Sequence, residues 1–127
     1  MGKNKILWII VLVLAIGGVA WLIMTPGRSG KLDAFATCLK DKDALFYGAF
    51  WCPHCQNQKA MFGASAKLLP YVECSTPDGK GQLPVCTDRG VTSYPTWIFA
   101  DGTILNGEVP LEKLSEKTGC LLPQDNG

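Results

Sequence analysis

Apolar residues are distributed along the chain in two ways: one long uninterrupted run near the start, and shorter runs separated by polar turns. The run Ile6–Met24 contains no charged residue, and it is about as long as a helix needs to cross a bilayer. We therefore predict a transmembrane helix over residues 1–24, a flexible linker over 25–31, a folded domain over 32–122 and a C-terminal tail over 123–127.

The charges beside the apolar run predict its orientation. Lys3 and Lys5 precede it without an acidic neighbour, which favours a cytoplasmic N-terminus and places the domain outside the cytoplasm. The small residues Gly18-Val19-Ala20 resemble a signal-peptide cleavage site, so a cleaved leader is the alternative. Because the apolar run continues to Met24, we favour an uncleaved single-pass anchor that contacts membrane lipid through Ile6–Met24.

In the domain, the hydrophobic periodicity predicts helices that alternate with strands. Asp33 can cap a helix over 33–42, and the unbroken apolar segment 44–50 is typical of a strand covered on both faces. A long helix over 52–69 should follow, with Pro70 as its stop. The residues of this helix expected to face inward are Met61, Phe62, Ala66 and Leu69.

Turn residues divide the rest of the domain into short elements. We predict, in order, a strand over 71–74, a loop over 75–83, a short helix over 84–89, strands over 96–100 and 103–105 joined at Asp101-Gly102, and a helix from Pro110 to Gly119. The domain then has the order α-β-α-β-α-β-β-α. This order predicts an α/β fold in which a mixed sheet carries helices on both faces.

Charge and cysteine content predict the setting of the domain. From Lys31 onward the chain has nine basic and eleven acidic residues, so we expect no nucleic-acid partner. All six cysteines lie in this part of the chain. Such a cysteine content behind a membrane anchor predicts an oxidising periplasmic or lumenal compartment, and a fold reinforced by disulfides.

The segment Cys52-Pro53-His54-Cys55 carries the candidate chemistry, because it lies at the turn from a buried strand into a helix. Disulfide exchange requires a thiolate, and the helix N-terminus, together with the His54 imidazole, should stabilise the thiolate of Cys52. The two-residue spacing keeps Cys55 within bonding distance. The alternatives are an inert disulfide and a zinc site shared with two other cysteines. The strand–turn–helix setting favours the redox pair.

These elements resemble the thioredoxin fold over about residues 32–122. Trp51–Cys55 corresponds to the active-site turn of that superfamily, and Val91–Trp97 looks like the segment that carries its cis-proline, here Pro95. Three motifs resemble the thioredoxin-like domain of bacterial and plant vitamin K epoxide reductase homologues, namely Tyr47–Cys55, Tyr71–Cys74 and Thr92–Trp97. In those proteins the domain is fused to a quinone-reducing membrane bundle, whereas one predicted span stands in its place here.

The resemblance implies a role for each residue near the cysteine pair. Catalysis is assigned to Cys52, Cys55, His54 and Pro53, and substrate binding to Pro95, Tyr94 and Trp51. A cis peptide at Pro95 would present the backbone of Tyr94 to a substrate strand. Phe50 and Trp97 are expected in the core. No metal or cofactor is expected on this chain.

Two features predict the direction of electron flow. Phe46 stands where cytosolic thioredoxins keep a buried acidic residue, so the proton acceptor of a reducing enzyme is absent. The Pro53-His54 dipeptide is the one found in the periplasmic oxidant DsbA. Both features favour an oxidant. The partners implied are cysteine-containing exported proteins and a quinone-reducing membrane oxidase that resembles vitamin K epoxide reductase.

The other four cysteines leave alternatives open. Cys74 and Cys86 enclose a loop, and a structural disulfide there would contribute about 3 kcal/mol by the chain-entropy relation. The rival interpretation is a second redox pair that relays electrons to or from the first. Cys38 and Cys120 either bond to each other or remain free.

The function predicted from the sequence is that of a membrane-anchored thiol:disulfide oxidoreductase. It should oxidise the cysteines of exported proteins and pass the electrons to its membrane partner. Two alternatives remain: an anchored reductase of extracytoplasmic disulfides, and a thioredoxin-like binding module without enzymatic activity.

Overall fold

The computed structural model describes residues 2–24 and 29–124. Its helices and strands are α1 (Lys3–Met24), α2 (Asp33–Asp41), β1 (Leu45–Gly48), α3 (Pro53–Phe62), a 3₁₀ helix (Gly63–Leu68), β2 (Tyr71–Glu73), α4 (Pro84–Thr87), β3 (Thr96–Ile98), β4 (Ile104–Asn106) and α5 (Leu111–Thr118). Most of the predicted linker, 25–28, and the end of the predicted tail, 125–127, lie outside the described residues.

Helix α1 is exposed along its whole length. By length and composition it could cross a membrane, with a mean hydropathy of 2.8 over its most apolar window. A signal sequence near an N-terminus has the same properties. The structure therefore shows one helix, within the described part of the chain, that is able to span a bilayer.

The four strands form one mixed sheet in the order β2-β1-β3-β4. Strand β1 pairs with β2 in parallel, with Phe46 opposite Tyr71. It pairs with β3 antiparallel, with Phe46 opposite Trp97, and β3 continues antiparallel to β4. The expected α/β architecture, with a mixed four-stranded sheet in a thioredoxin-like arrangement, is confirmed.

Both faces of the sheet are buried, as the apolar strand segments predicted. Phe46 and Trp97 lie in the larger core, which also contains apolar residues of α2, α3 and α5, and their rings stack 5.0 Å apart. Tyr47 and Ile98, the next residues along the same strands, lie in a smaller core with Cys86 of α4. The alternation follows from the period of two residues in a strand.

The long predicted helix over 52–69 is in fact two helices. The α-helix ends at Phe62, because Gly63 adopts a φ of 54°, and a 3₁₀ helix continues to Leu68. Met61 is exposed, contrary to the prediction, whereas Gln58 and Ser65 are fully buried. The other elements are confirmed: the first three strands and the short helix are shorter than predicted, and the last strand is shifted by one residue.

Asp33 does not cap α2, so this prediction is wrong. It is the first helical residue, and its carboxylate accepts a hydrogen bond from the Gly30 amide. The amide of Leu32 donates to the Ser65 hydroxyl, and a Cβ at Gly30 would collide with Ser65. The segment that leads into α2 is thus held against the 3₁₀ helix at Ser65.

Two disulfides close loops of very different length. Cys38 of α2 bonds to Cys120 across 82 residues of sequence, which ties the first helix of the domain to its C-terminal end. Cys74 bonds to Cys86 across 12 residues, which closes the loop between β2 and α4.

The difference in loop length predicts a difference in stability. Cross-linking the longer loop should stabilise the domain by about 4 to 5 kcal/mol, and the shorter loop by about 3 kcal/mol. We expect the double variant Cys38→Ala/Cys120→Ala to lose more free energy of unfolding than Cys74→Ala/Cys86→Ala, in urea titrations of the full chain in detergent. An equal loss, or the opposite order, would contradict this account.

Candidate active site

The cysteine pair lies where β1 turns into α3. Gly48 ends the strand, and the Cys52 amide donates to the Ala49 carbonyl at 3.1 Å, which closes the turn. Cys52 is the N-cap residue of α3, in extended conformation, and Pro53 occupies the first turn. Proline suits that position because an N–H in the first turn has no acceptor within the helix, so its absence costs no hydrogen bond. The Cys52 side chain is therefore placed at the positive end of the helix.

The two cysteines are both free thiols and both largely buried, but their surroundings differ. Both belong to the larger core, in which Cys55 is 1% exposed. Cys52 is 5% exposed and lies beside two aromatic residues that are about half exposed, Phe50 and Trp51. Cys52 is thus the more exposed of two buried cysteines.

Phe50 is not a core residue, so this prediction is wrong. The strand ends two residues earlier, and Phe50 falls in the turn, where its amide donates to the carboxylate of Glu73 at 3.2 Å. Its ring consequently points away from both cores. Trp97 is fully buried, as expected.

Burial raises the pKa of the Cys55 thiol to about 12. The hydrogen bond and the charge of Cys52 raise it further, whereas a hydrogen bond to the Ala49 backbone and the charge of Lys59 lower it. Cys55 is therefore a protonated thiol at neutral pH, and an anion on its sulfur is transient.

Gly48 allows the first turn of α3 to lie directly on the sheet. A Cβ at this position would come within 2.9 Å of the Cys55 sulfur and within 2.9 Å of the Tyr71 ring. Sequence reasoning did not identify this residue. The available signal was a single glycine in an otherwise apolar strand, which often marks a close backbone approach.

Pro95 and Tyr94 lie beside the sulfur of Cys52. The peptide bond between them is cis, and the Cys52 thiol is 3.8 Å from the Tyr94 carbonyl oxygen. Pro95 itself is fully buried. The rings of Tyr94 and Trp51 meet edge to face at 5.9 Å. The structure thus brings together Trp51, Tyr94, Pro95 and the cysteine pair.

The loop closed by the Cys74–Cys86 disulfide forms one wall of this site. The Trp51 indole donates to the Ser75 hydroxyl at 2.9 Å, and the Gln82 amide donates to the Tyr94 hydroxyl at 2.7 Å. A Cβ at Gly79 would lie 3.5 Å from the Trp51 ring. The loop therefore orients both aromatic side chains that flank Cys52, a role that the sequence did not reveal.

His54 contacts a carboxylate that the sequence analysis did not identify. Its Nδ1 lies 2.7 Å from Glu108 Oε2, and the two side chains are 68% and 29% exposed. Glu108 comes from the segment between β4 and α5, and the contact is an ion pair when the imidazole is protonated. Glu108 thus fixes the orientation of the His54 ring at the start of α3.

A buried amide anchors α3 to the rest of the domain. Gln58 accepts a hydrogen bond from the Val109 amide at 2.7 Å and another from the Trp97 indole at 3.3 Å. It donates to the Val109 carbonyl at 3.0 Å. Buried polar groups need such partners, and these three hydrogen bonds explain why a glutamine occupies a core position.

The described residues hold no cluster of three or more His, Cys, Asp or Glu side chains arranged for a metal ion. Cys74 and Cys86 bond to each other, so they are not available to share a zinc ion with the Cys52–Cys55 pair.

Two known proteins that are similar in sequence to this chain are named for an activity. The chain is 49% identical over 123 residues to the thiol-disulfide oxidoreductase LTO1 of Arabidopsis thaliana, which covers 80% of this chain and 32% of that protein. It is 29% identical over 99 residues to protein disulfide isomerase-like 5-1 of Oryza sativa subsp. japonica, with 64% of each chain covered. No protein-family model matches the sequence.

The chain spans about a third of the length of the first relative and just under two thirds of the second. Both relatives are named for thiol–disulfide chemistry, and the domain has the sheet and cysteine placement described above. The similarity and the fold together support membership of the thioredoxin-like superfamily.

Proposed function

We propose that this chain is a thiol:disulfide oxidoreductase whose reacting group is the Cys52–Cys55 pair. The observation that carries the proposal is the position of Cys52: its sulfur lies at the N-terminus of α3 and 3.8 Å from the carbonyl that precedes a cis-proline. The names of the two relatives support the same chemistry.

The reaction begins with the pair oxidised. A substrate thiolate attacks the Cys52 sulfur, a bond forms between them, and the Cys52–Cys55 bond breaks. Cys55 leaves as a thiolate and takes up a proton, since its pKa lies near 12. A second thiolate of the substrate then attacks the substrate sulfur of the mixed disulfide. Cys52 leaves, the substrate has lost two electrons, and the chain holds two thiols.

The buried position of Cys55 determines which sulfur the substrate attacks. Both cysteines belong to the larger core, but Cys52 is 5% exposed at the N-cap of α3 and Cys55 only 1% exposed, so we expect an incoming thiolate to meet Cys52 first. The Tyr94 carbonyl lies beside the Cys52 sulfur, where an extended peptide could pair with the backbone. Trp51 and Tyr94 flank this position, and we assign them to substrate contact.

Oxidation of exported proteins is the direction that we propose. Phe46 stacks on Trp97 in the core beneath the site, so the face where a reducing thioredoxin would hold an acidic residue is filled by an aromatic ring. Reoxidation then requires a membrane oxidase that accepts two electrons. We propose a quinone-linked partner resembling vitamin K epoxide reductase.

A membrane location would bring the domain close to that oxidase. Helix α1 is long and apolar enough to cross a bilayer, and the two lysines at its start favour a cytoplasmic N-terminus. We propose that α1 anchors the chain through Ile6–Met24 and leaves the thioredoxin-like domain on the extracytoplasmic side, periplasmic or lumenal.

A cysteine trap tests the activity. In cells, Cys55→Ala should accumulate mixed disulfides with exported proteins, formed when the Cys52 thiolate attacks a disulfide of such a protein and displaces one of its two sulfurs as a thiol. They persist because the Cys55 thiol, which would attack Cys52 and release the protein, is gone. Adducts are resolved on non-reducing gels and identified by mass spectrometry. Cys52→Ala is the matched control and should form none. If the Cys52→Ala chain retains full function in cells, the chain is a binding module instead.

The reduction potential tests the direction. We expect the Cys52–Cys55 couple to lie between thioredoxin, at about −270 mV, and DsbA, at about −120 mV, and nearer the second. Equilibration of the full chain with glutathione buffers gives the value. A potential at or below that of thioredoxin would favour the reductase and contradict the oxidant assignment.

A further inference from the structure

Behind Cys55 lies a group of side chains that the reaction steps above do not use. Lys59 follows Cys55 by four residues on α3, so the two side chains share one face of the helix. The Lys59 ammonium lies over the ring of Tyr71, 3.6 Å from the ring centroid. An aromatic face attracts a cation in this geometry.

The Tyr71 ring is fixed on three sides. Its edge and the Cys55 sulfur both lie against the α-carbon of Gly48, since a Cβ there would touch each of them at 2.9 Å. Phe46 packs against it edge to face at 5.1 Å. Its hydroxyl donates to Glu73 at 2.7 Å. These contacts hold the Tyr71 ring in place. The ring has the Lys59 ammonium over its face and lies beside the same glycine as the Cys55 sulfur, so it positions Lys59 near Cys55.

The carboxylate of Glu73 is already occupied by other donors. One oxygen accepts from the Tyr71 hydroxyl, and the other accepts from the amides of Phe50 and Ser75. Lys59 forms no ion pair with a carboxylate of residues 29–124. Its charge is therefore not neutralised by a direct partner within the described domain, and it acts on the groups around it.

We propose that Lys59, positioned by Tyr71, stabilises the negative charge that develops on the Cys55 sulfur when the Cys52–Cys55 disulfide opens or closes. This inference rests on the proposed exchange activity. The charge exists only during the reaction, because burial keeps Cys55 protonated in the resting dithiol. In support, the charge of Lys59 lowers the pKa of Cys55.

A cation that acts only on a transient anion has a distinctive effect. It speeds the opening and the closing of the disulfide by the same factor, because both pass through the same charged sulfur. It leaves the equilibrium constant unchanged at neutral pH, since neither the disulfide nor the protonated thiol carries the charge. A residue that merely supports the fold would not produce this combination.

Reduced glutathione is a suitable probe, with the full chain in detergent micelles. The glutathione thiolate attacks Cys52 of the oxidised chain, a mixed disulfide forms, and Cys55 leaves and takes up the proton that glutathione lost. Acid quenching and intact-mass measurement give the rate constants in both directions and the equilibrium constant. Lys113, exposed on α5, provides a control that removes one positive charge elsewhere.

We expect Lys59→Met to slow both directions roughly threefold, because a thiol with a higher pKa leaves more slowly with a Brønsted exponent near one half. Lys59→Arg should restore the rates, and Lys113→Met should not change them. Tyr71→Leu should slow the reaction in the parent chain but add little in the Lys59→Met background, since the two residues act as one unit.

Each other outcome has a definite meaning. If Lys59→Met reacts as fast as the parent, or if Lys59→Arg is as slow as Lys59→Met, the role of Lys59 is refuted while the exchange activity stands. A shift in the equilibrium constant together with a lower melting temperature assigns Lys59 to stability and also refutes the proposal. A parent chain that forms no glutathione adduct refutes the proposed function and the inference with it.

Discussion

The close contact between the first turn of α3 and the end of β1 is the constraint on which the site depends. It is possible because Gly48 has no side chain at the point where the Cys55 sulfur meets the strand. The contact buries Cys55 and leaves Cys52 at the helix N-terminus, next to the Tyr94 carbonyl. Of two chemically identical side chains, three residues apart, Cys55 thereby has its pKa raised by burial, and Cys52 is the more exposed.

Polar side chains hold this contact from two sides. On one side, Gln58 joins α3 to the Val109 backbone and to Trp97. On the other, the carboxylate of Glu73 accepts hydrogen bonds from the amides of Phe50 and Ser75 and from the hydroxyl of Tyr71. Each group leaves few hydrogen-bonding atoms unmatched, which is the condition under which buried polar groups specify one arrangement. The cysteine turn is consequently held at both its entry and its exit.

The order of the elements and the cysteine turn could be predicted, because both depend on local signals. Apolar runs, prolines and glycines fix helices and strands within a few residues, and the spacing of Cys52 and Cys55 is read directly from the sequence. The fold family and the assignment of Pro95 needed the resemblance in addition. Phe50 was misplaced because an apolar residue is not obliged to be buried, and the strand ended before it.

The residues that were missed act through contacts distant in sequence. Glu108 meets His54 across 54 residues, and Gln58 meets Val109 across 51. A periodic pattern assigns a glutamine or glutamate to the surface, since it contains no information about a partner in another element. After the break at Gly63, Ser65 of the 3₁₀ helix is buried, whereas Met61, in the last turn of α3 before the break, is exposed.

The unequal surroundings of the two thiols are tested most directly by alkylation. The full chain, gently reduced in detergent, is exposed briefly to iodoacetamide at neutral pH, and the labelled cysteines are located by peptide mass spectrometry. Labelling of Cys52 with Cys55 left unmodified is the result that this account predicts. Labelling of Cys55 first, or of both at the same rate, would contradict it.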